Sequence, residues 1–88
     1  MTALKNSLWT YRKKMGFSQK RVAHFMGFKR TNDLSRYEHG AKLPNLLNAL
    51  KLEIVYRTPV AFLFRELYEQ LRKEIRKKEE KLKSKENA

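Results

Sequence analysis

The placement of glycine constrains this fold more than any other feature of the sequence. The 88 residues contain only Gly16, Gly27 and Gly40, and each follows a short segment whose apolar residues recur at helical spacing. Glycine is favoured just past a helix end because it adopts positive φ without steric cost. The first forty residues are therefore predicted to form three short helices. Such short helices are stable only when they pack against one another.

The apolar residues of these segments indicate which side of each helix faces the core. Helix 1 is predicted in the segment 4–17, with apolar residues Leu4, Leu8, Trp9, Tyr11 and Met15. Helix 2 starts after Ser18, a good N-cap, and its apolar residues are Val22, Ala23, Phe25 and Met26. Helix 3, about residues 30–39, has Leu34 and Tyr37 as its inward pair. Trp9, Tyr11, Phe17 and Phe25 are predicted to be core or boundary residues.

The second half of the chain reads as one amphipathic helix followed by a long one. Helix 4 is predicted within 45–56, facing the core with the apolar residues at 46, 47, 50, 54 and 55. Thr58 and Pro59 look like an N-cap and first helical residue, opening a single helix that runs almost to the end. The predicted fold is all-α: a compact domain of four to five helices (1–64) followed by an extended, charged C-terminal helix (65–88).

Composition excludes several classes of function. The formal net charge is +12, of which +8 lies in residues 1–44, and this excess predicts a polyanionic partner. Cysteine is absent, two histidines alone cannot hold a metal, and no apolar run approaches the length of a membrane span. No nucleophile with a base, carboxylate pair or phosphate-cradling glycine loop is found. We therefore expect a cytoplasmic, nucleoid-associated protein that is not an enzyme and has no metal, no cofactor and no membrane contact.

Two short helices joined by a tight glycine turn are what a helix-turn-helix requires. Ala23 would allow a close crossing beneath helix 3, and Gly27 would allow the turn. Apolar residues of helices 2 and 3 would fix helix 3 from below. Its polar residues would then be displayed to a partner.

The chain resembles the phage-repressor and Cro (Xre-type) helix-turn-helix proteins. The resemblance rests on "SQKRVAHFMGF", "LSRYEHG" and "LPNLLNALKLEIVYRTPVAFLF", which cover most of residues 8–64. It implies that helix 3 enters the major groove of double-stranded DNA, with Thr31, Asn32 and Arg36 reading base edges. Phosphate contacts are expected from Gln19, Lys20, Arg30, Ser35, His39 and Lys42. Arg12 and Glu38 match a structural salt bridge of the family that ties helix 1 to helix 3.

Two departures from the family pattern affect this assignment. One extra residue lies between Gly27 and Leu34, so the family pattern fits residues 29–32 in either of two registers that differ by one position. Asp33 places a carboxylate near phosphates. It would stabilise the positive start of helix 3 or accept a hydrogen bond from cytosine N4.

The last helix has two interpretations. Apolar residues at 64, 68, 71, 75 and 82 fit alternating spacings of four and three if Lys78 takes one seam position, which indicates a short coiled coil and a homodimer. Alternatively, Phe62, Phe64 and Leu67 complete the core while the remainder is a solvated helix with ion pairs such as Glu69 with Lys73.

The predicted function is sequence-specific regulation of transcription, as a repressor. Two alternatives stay open. One is an antitoxin-like module that holds a protein partner with its C-terminal helix and binds DNA for autoregulation. The other is non-specific binding of nucleic acid through charge alone.

Overall fold

The computed structural model describes residues 5–86, and within that range it contains six α-helices and no strand. The helices are α1 (Leu8–Met15), α2 (Gln19–Met26), α3 (Asn32–Glu38), α4 (Leu46–Tyr56), α5 (Val60–Leu63) and α6 (Arg65–Glu86). The prediction of an all-α chain with a long C-terminal helix is confirmed. Leu4, which was assigned to helix 1, lies outside the described residues. None of the helices within 5–86 is long and apolar enough to cross a membrane.

The helix ends follow the glycine pattern. Gly16 and Gly27 lie directly after α1 and α2 with φ of 72° and 79°, and Gly40 follows α3 with φ of 72°. A Cβ built on Gly27 would meet no heavy atom within 4 Å. The left-handed backbone, rather than a lack of space, is therefore what favours glycine at this turn. At the other end of α2, the hydroxyl of Ser18 accepts a hydrogen bond from the amide of Arg21 at 3.1 Å.

One apolar core contains buried residues from each of the helices α1 to α5, and Leu67 of α6 packs against it partly buried. Its buried members are Leu8, Val22, Met26, Leu34, Tyr37, Leu52, Tyr56, Leu63 and Phe64. Val22, Met26, Leu34 and Tyr37 are the inward residues that helical spacing predicted in helices 2 and 3. Ala23 is also buried, at 3% exposure.

The predicted orientation of helix 4 was wrong for four of its five apolar residues, and only Val55 packs partly buried against the core as predicted. Leu52 and Tyr56 face the core, whereas Leu46, Leu47, Leu50 and Ile54 are between 46% and 75% exposed. Polar groups on the inner side explain the difference: Asn48 Nδ2 donates to Tyr37 Oη at 3.0 Å, and Lys51 Nζ donates to the carbonyl of Met26 at 3.1 Å. Helical periodicity identified the apolar residues correctly, but α4 has them on both sides.

Two aromatic residues are more exposed than their spacing predicted. Trp9 is 55% exposed and Phe25 is 51% exposed, whereas Tyr11 and Phe17 pack partly buried against the core. The ring of Phe25 meets that of Phe17 edge-on at 5.4 Å. Phe25 therefore rests on the edge of the core, and Trp9 is largely a surface residue.

The predicted continuous last helix is broken at Phe64. In a continuous helix the carbonyl of Leu63 would accept from residue 67, but here it accepts from the amide of Ser7 at 2.8 Å. The break buries Leu63 and Phe64 while Phe62 stays 47% exposed, so the assignment of Phe62 to the core was wrong.

The predicted cap at Thr58 is also absent. Its hydroxyl donates to the carbonyl of Tyr56, and the amide of Val60 is instead capped by Glu53 Oε1 at 3.0 Å. The side chain that caps α5 therefore comes from α4.

Tyr56 carries a buried hydroxyl without a hydrogen-bond partner among the described residues. Burial, together with the nearby Glu38 carboxylate, raises the pKa of Tyr56. We expect Tyr56→Phe to leave the free energy of unfolding unchanged or to raise it by up to about 1 kcal/mol, because a polar group no longer has to be desolvated.

The same substitution should change the response to alkaline pH. Tyrosine ionises near pH 10 when unfolded, so above that pH the folded wild type retains a proton that the unfolded chain loses, and stability falls. Urea denaturation at rising pH should show a smaller fall for Tyr56→Phe. Tyr68→Phe, at a half-exposed position, should behave as the wild type.

Candidate nucleic-acid interface

Helix α3 is held on its inner side by two wholly buried residues. Leu34 and Tyr37 have 0% and 1% exposure, and both belong to the core that also contains Val22 and Met26 of α2. The turn between α2 and α3 is stabilised by a hydrogen bond of 2.8 Å from the amide of Phe28 to the carbonyl of Ala23. This packing fixes the inner face of α3 and leaves the opposite face in solvent.

Tyr37 is fixed further by polar contacts from the segment before α1 and from α4. Asn6 Nδ2 donates to its carbonyl at 2.8 Å, and Asn48 Nδ2 donates to its hydroxyl at 3.0 Å. Sequence reasoning missed Asn6, Asn48 and Lys51 as supports of this region. No periodicity marks a polar side chain that reaches inward from another helix, so only the three-dimensional arrangement reveals them.

A buried ion pair ties α3 to α1. Arg12 Nε donates to Glu38 Oε2 at 2.6 Å and Nη2 donates to Oε1 at 3.1 Å, while Nη1 donates to the carbonyl of Phe17 at 3.0 Å. The two side chains are only 7% and 3% exposed. The hydrogen bond with Glu38 raises the pKa of Arg12, against the opposing effect of burial. Arg12 is therefore an internal group whose charge is already matched.

The outer face of α3 presents a compact polar set. Arg30, Asn32 and Arg36 line one shallow groove together with Lys29 and Asp33. Asn32 and Arg36 are exposed, and Thr31 is half-buried at the start of α3. An amide and guanidinium groups at this spacing offer the donors and acceptors that base edges and phosphates can pair with.

Comparison with protein families agrees with this geometry. The family model HTH_3, described as Helix-turn-helix, matches residues 10–63, more than half of the chain. The chain belongs to the Cro/C1-type (Xre) helix-turn-helix family. This family is non-catalytic, and membership implies that the protein binds DNA. Neither the comparison with curated proteins nor that with solved structures gave a match.

In this helix-turn-helix protein, Gln19 has a different partner from the one expected. Its amide Nε2 donates to Glu38 Oε1 at 3.1 Å, so it extends the buried Arg12–Glu38 network. The structure therefore shows Gln19 supporting α3, and a phosphate contact by this residue stays a prediction.

Four of the remaining expected phosphate contacts of the helix-turn-helix protein are exposed: Lys20, Arg30, His39 and Lys42. The fifth, Ser35 on α3, is half-buried. His39 Nδ1 lies 2.7 Å from the carbonyl of Ser35, one helical turn earlier. Their phosphate roles stay predictions.

Asp33 lies in the first turn of α3, where a carboxylate interacts favourably with the helix dipole. It also lies 3.8 Å from Arg36 Nη1 and 3.4 Å from Lys42 Nζ. Both ion pairs are solvent-exposed and therefore weak. Arg36 and Lys42 can leave Asp33 at little cost.

Proposed function

We propose that this protein is a sequence-specific regulator that binds double-stranded DNA with α3 in the major groove and acts as a repressor. The observation that supports this most is the contrast between the two faces of α3. Leu34, Tyr37 and Glu38 are engaged inside the domain, whereas Asn32 and Arg36 are exposed on one groove. A rigid support beneath an exposed polar face is what direct reading of bases requires.

In this proposal residues 1–64 form the DNA-binding domain and residues 65–88 form a helical extension through which two copies pair. Asn32 would pair with adenine and Arg36 with guanine, while Thr31 contributes a third contact. Two-fold pairing would supply affinity that one helix-turn-helix unit lacks. The protein would act as a repressor because its occupation of the DNA major groove excludes the transcription machinery from the same DNA.

Selection of bound sequences from a random pool of duplexes tests this proposal. We expect enrichment of a palindrome whose half-site centres are about 10 base pairs apart, because that spacing brings two recognition helices to the same side of the duplex. A pool that shows no enrichment would favour binding through charge alone, since the net charge of +12 attracts any nucleic acid.

Lys20 provides a test of the phosphate contacts. Lys20→Ala should weaken binding to all DNA sequences alike and reduce the slope of log affinity against log salt by about 0.9, the value for one released counterion. Titrations of specific and unrelated duplexes at several salt concentrations measure this. Lys83→Ala removes the same charge from the far end of α6 and should leave the slope unchanged. An equal change in both variants would mean that net charge alone governs binding.

A further inference from the structure

Helix α6 carries an apolar strip that the other residues of the described range 5–86 do not cover. None of its residues is buried, and Tyr68, Leu71, Ile75 and Leu82 are each about half exposed. Tyr68, Leu71 and Ile75 line one continuous shallow groove with Arg72 and Arg76. A strip of this kind gains free energy when a second apolar surface removes it from water.

The positions that flank the strip carry charges in a definite order. With Tyr68, Leu71, Ile75, Lys78 and Leu82 as the seam of a heptad pattern, one edge carries Arg65, Arg72, Glu79 and Glu86. We call this edge 1. Edge 2, on the other side of the seam, carries Leu67, Glu74 and Lys81. Charges at such edges determine the partner and the orientation of paired helices.

Parallel pairing of two copies brings like charges together. It would set Lys78 against the same lysine of the second copy within the seam. It would also place Glu74 of each copy beside Glu79 of the other, because edge 2 faces edge 1 in a parallel pair. Only the contact of Lys81 with Glu86 would be attractive.

Antiparallel pairing reverses this balance. Edge 1 then faces edge 1 and edge 2 faces edge 2. With Leu71 of each copy opposite Leu82 of the other, Arg72 lies beside Glu79, Arg65 beside Glu86, and Glu74 beside Lys81. All of these contacts are attractive, and each occurs twice by symmetry. Lys78 lies opposite Ile75, where its alkyl stem covers the side chain while the ammonium reaches solvent.

The register is also limited by the length of α6. Sliding the antiparallel pair by one heptad, so that Leu71 lies opposite Ile75, would set Arg72 against Arg72 and Glu74 against Glu74. It would also bring residues after Lys81 level with the globular domain that precedes Arg65. The register with Leu71 opposite Leu82 instead overlaps the two helices along nearly their whole length and keeps all four apolar residues within the overlap, with Tyr68 opposite Lys85.

We propose that a second copy of this chain covers the strip, with the two α6 helices antiparallel and Leu71 of each copy opposite Leu82 of the other. This rests on the homodimer of the proposed function and specifies its orientation. The two Arg65 residues then lie about 34 Å apart along the pair, given a rise of about 1.5 Å per residue. That separation is close to one turn of duplex DNA.

Charge reversal at edge 1 distinguishes the orientations without any use of DNA. Glu79→Arg and Arg72→Glu should each weaken self-association roughly tenfold, because two attractions become repulsions. An equimolar mixture of the two variants should associate about as well as the wild type, since each then supplies the charge that the other lacks. Glu80→Arg makes the same change on the outer side and should have no effect. Sedimentation equilibrium measures all four samples.

Spin labels provide a second, geometric test. The chain has no cysteine, so Ser84→Cys and Lys77→Cys each accept a single label. Antiparallel pairing separates the two copies of residue 84 by about 22 Å along the helix axis, whereas parallel pairing places them side by side. Residue 77 lies near the centre of the pair, so its two labels should be close together in either orientation.

Several outcomes would overturn this proposal. Parallel pairing predicts that Glu79→Arg strengthens association, because the new side chain would face Glu74 of the other copy. It also predicts that the spin labels at position 84 of the two copies lie side by side. A chain that remains monomeric at millimolar concentration would mean that the strip serves another protein or none. Loss of the dimer in Ile54→Lys, with no effect of Glu79→Arg, would place the interface on the exposed face of α4 instead.

Discussion

Glu38→Ala is expected to lower the free energy of unfolding by about 3–5 kcal/mol, because it leaves the Arg12 guanidinium buried without its counter-charge. Arg12 is bound to Glu38 through two nitrogen atoms, and both side chains are almost inaccessible to water. The same substitution removes the acceptor of Gln19 Nε2. A loss of this size is a large fraction of the stability of a small domain, so urea denaturation should show a clearly lower midpoint.

Two control variants separate the buried charge from the loss of a contact. Arg12→Met combined with Glu38→Leu should be less destabilising than Glu38→Ala, since no charge then remains inside without a partner. Glu69→Ala breaks an exposed ion pair with Arg72 and should cost well under 1 kcal/mol. A cost for Glu38→Ala as small as that for Glu69→Ala would show that the Arg12–Glu38 pair does not support the fold.

Arg36→Ala and Asn32→Ala are expected to weaken binding to the selected operator by roughly 5- to 150-fold each, the effect of losing one bidentate base contact of about 1–3 kcal/mol. Binding to unrelated DNA should change much less for Asn32→Ala, which alters no charge. Both side chains are exposed and make no internal contact on which the fold depends. Thermal unfolding should therefore be nearly unchanged.

Arg57→Gly is the matched control for Arg36→Ala. Arg57 is exposed after α4 and has a φ of 52°, which glycine adopts readily. Its loss removes one positive charge without touching α3. Operator binding by Arg57→Gly should fall no more than binding to unrelated DNA. An equal loss of operator preference in Arg57→Gly and Arg36→Ala would contradict the assignment of α3 as the recognition helix.

The parts of the fold that the sequence predicted are those that local chemistry determines. Glycine tolerates the left-handed turn after α2, and serine caps the start of that helix, so both ends of α2 were predictable. Leu34 and Tyr37 are the only large apolar residues of α3 and had to face inward. Residues 26 positions apart carry no local signal of contact. The pairing of Arg12 with Glu38 was therefore predicted only from the family resemblance.

The errors arose where two elements had to be oriented relative to each other. Helix α4 has leucines on both sides, and the side that faces inward is decided by what Asn48 and Lys51 bind on α2 and α3. The break at Phe64 depends on Ser7, which is more than fifty residues away and whose amide donates a hydrogen bond to the carbonyl of Leu63. Helical periodicity contains no information on such long-range partners.

The lack of any buried residue in α6 has a consequence for how this segment folds. Most of the stability of a helix in a protein comes from tertiary packing, and α6, with 22 residues and none of them buried, receives little of it. In the proposed dimer, the helical order of α6 and its association form one coupled equilibrium, so dilution is expected to unravel the segment while the globular part persists. Cellular abundance would thereby decide whether the last quarter of the chain is ordered or open to proteases.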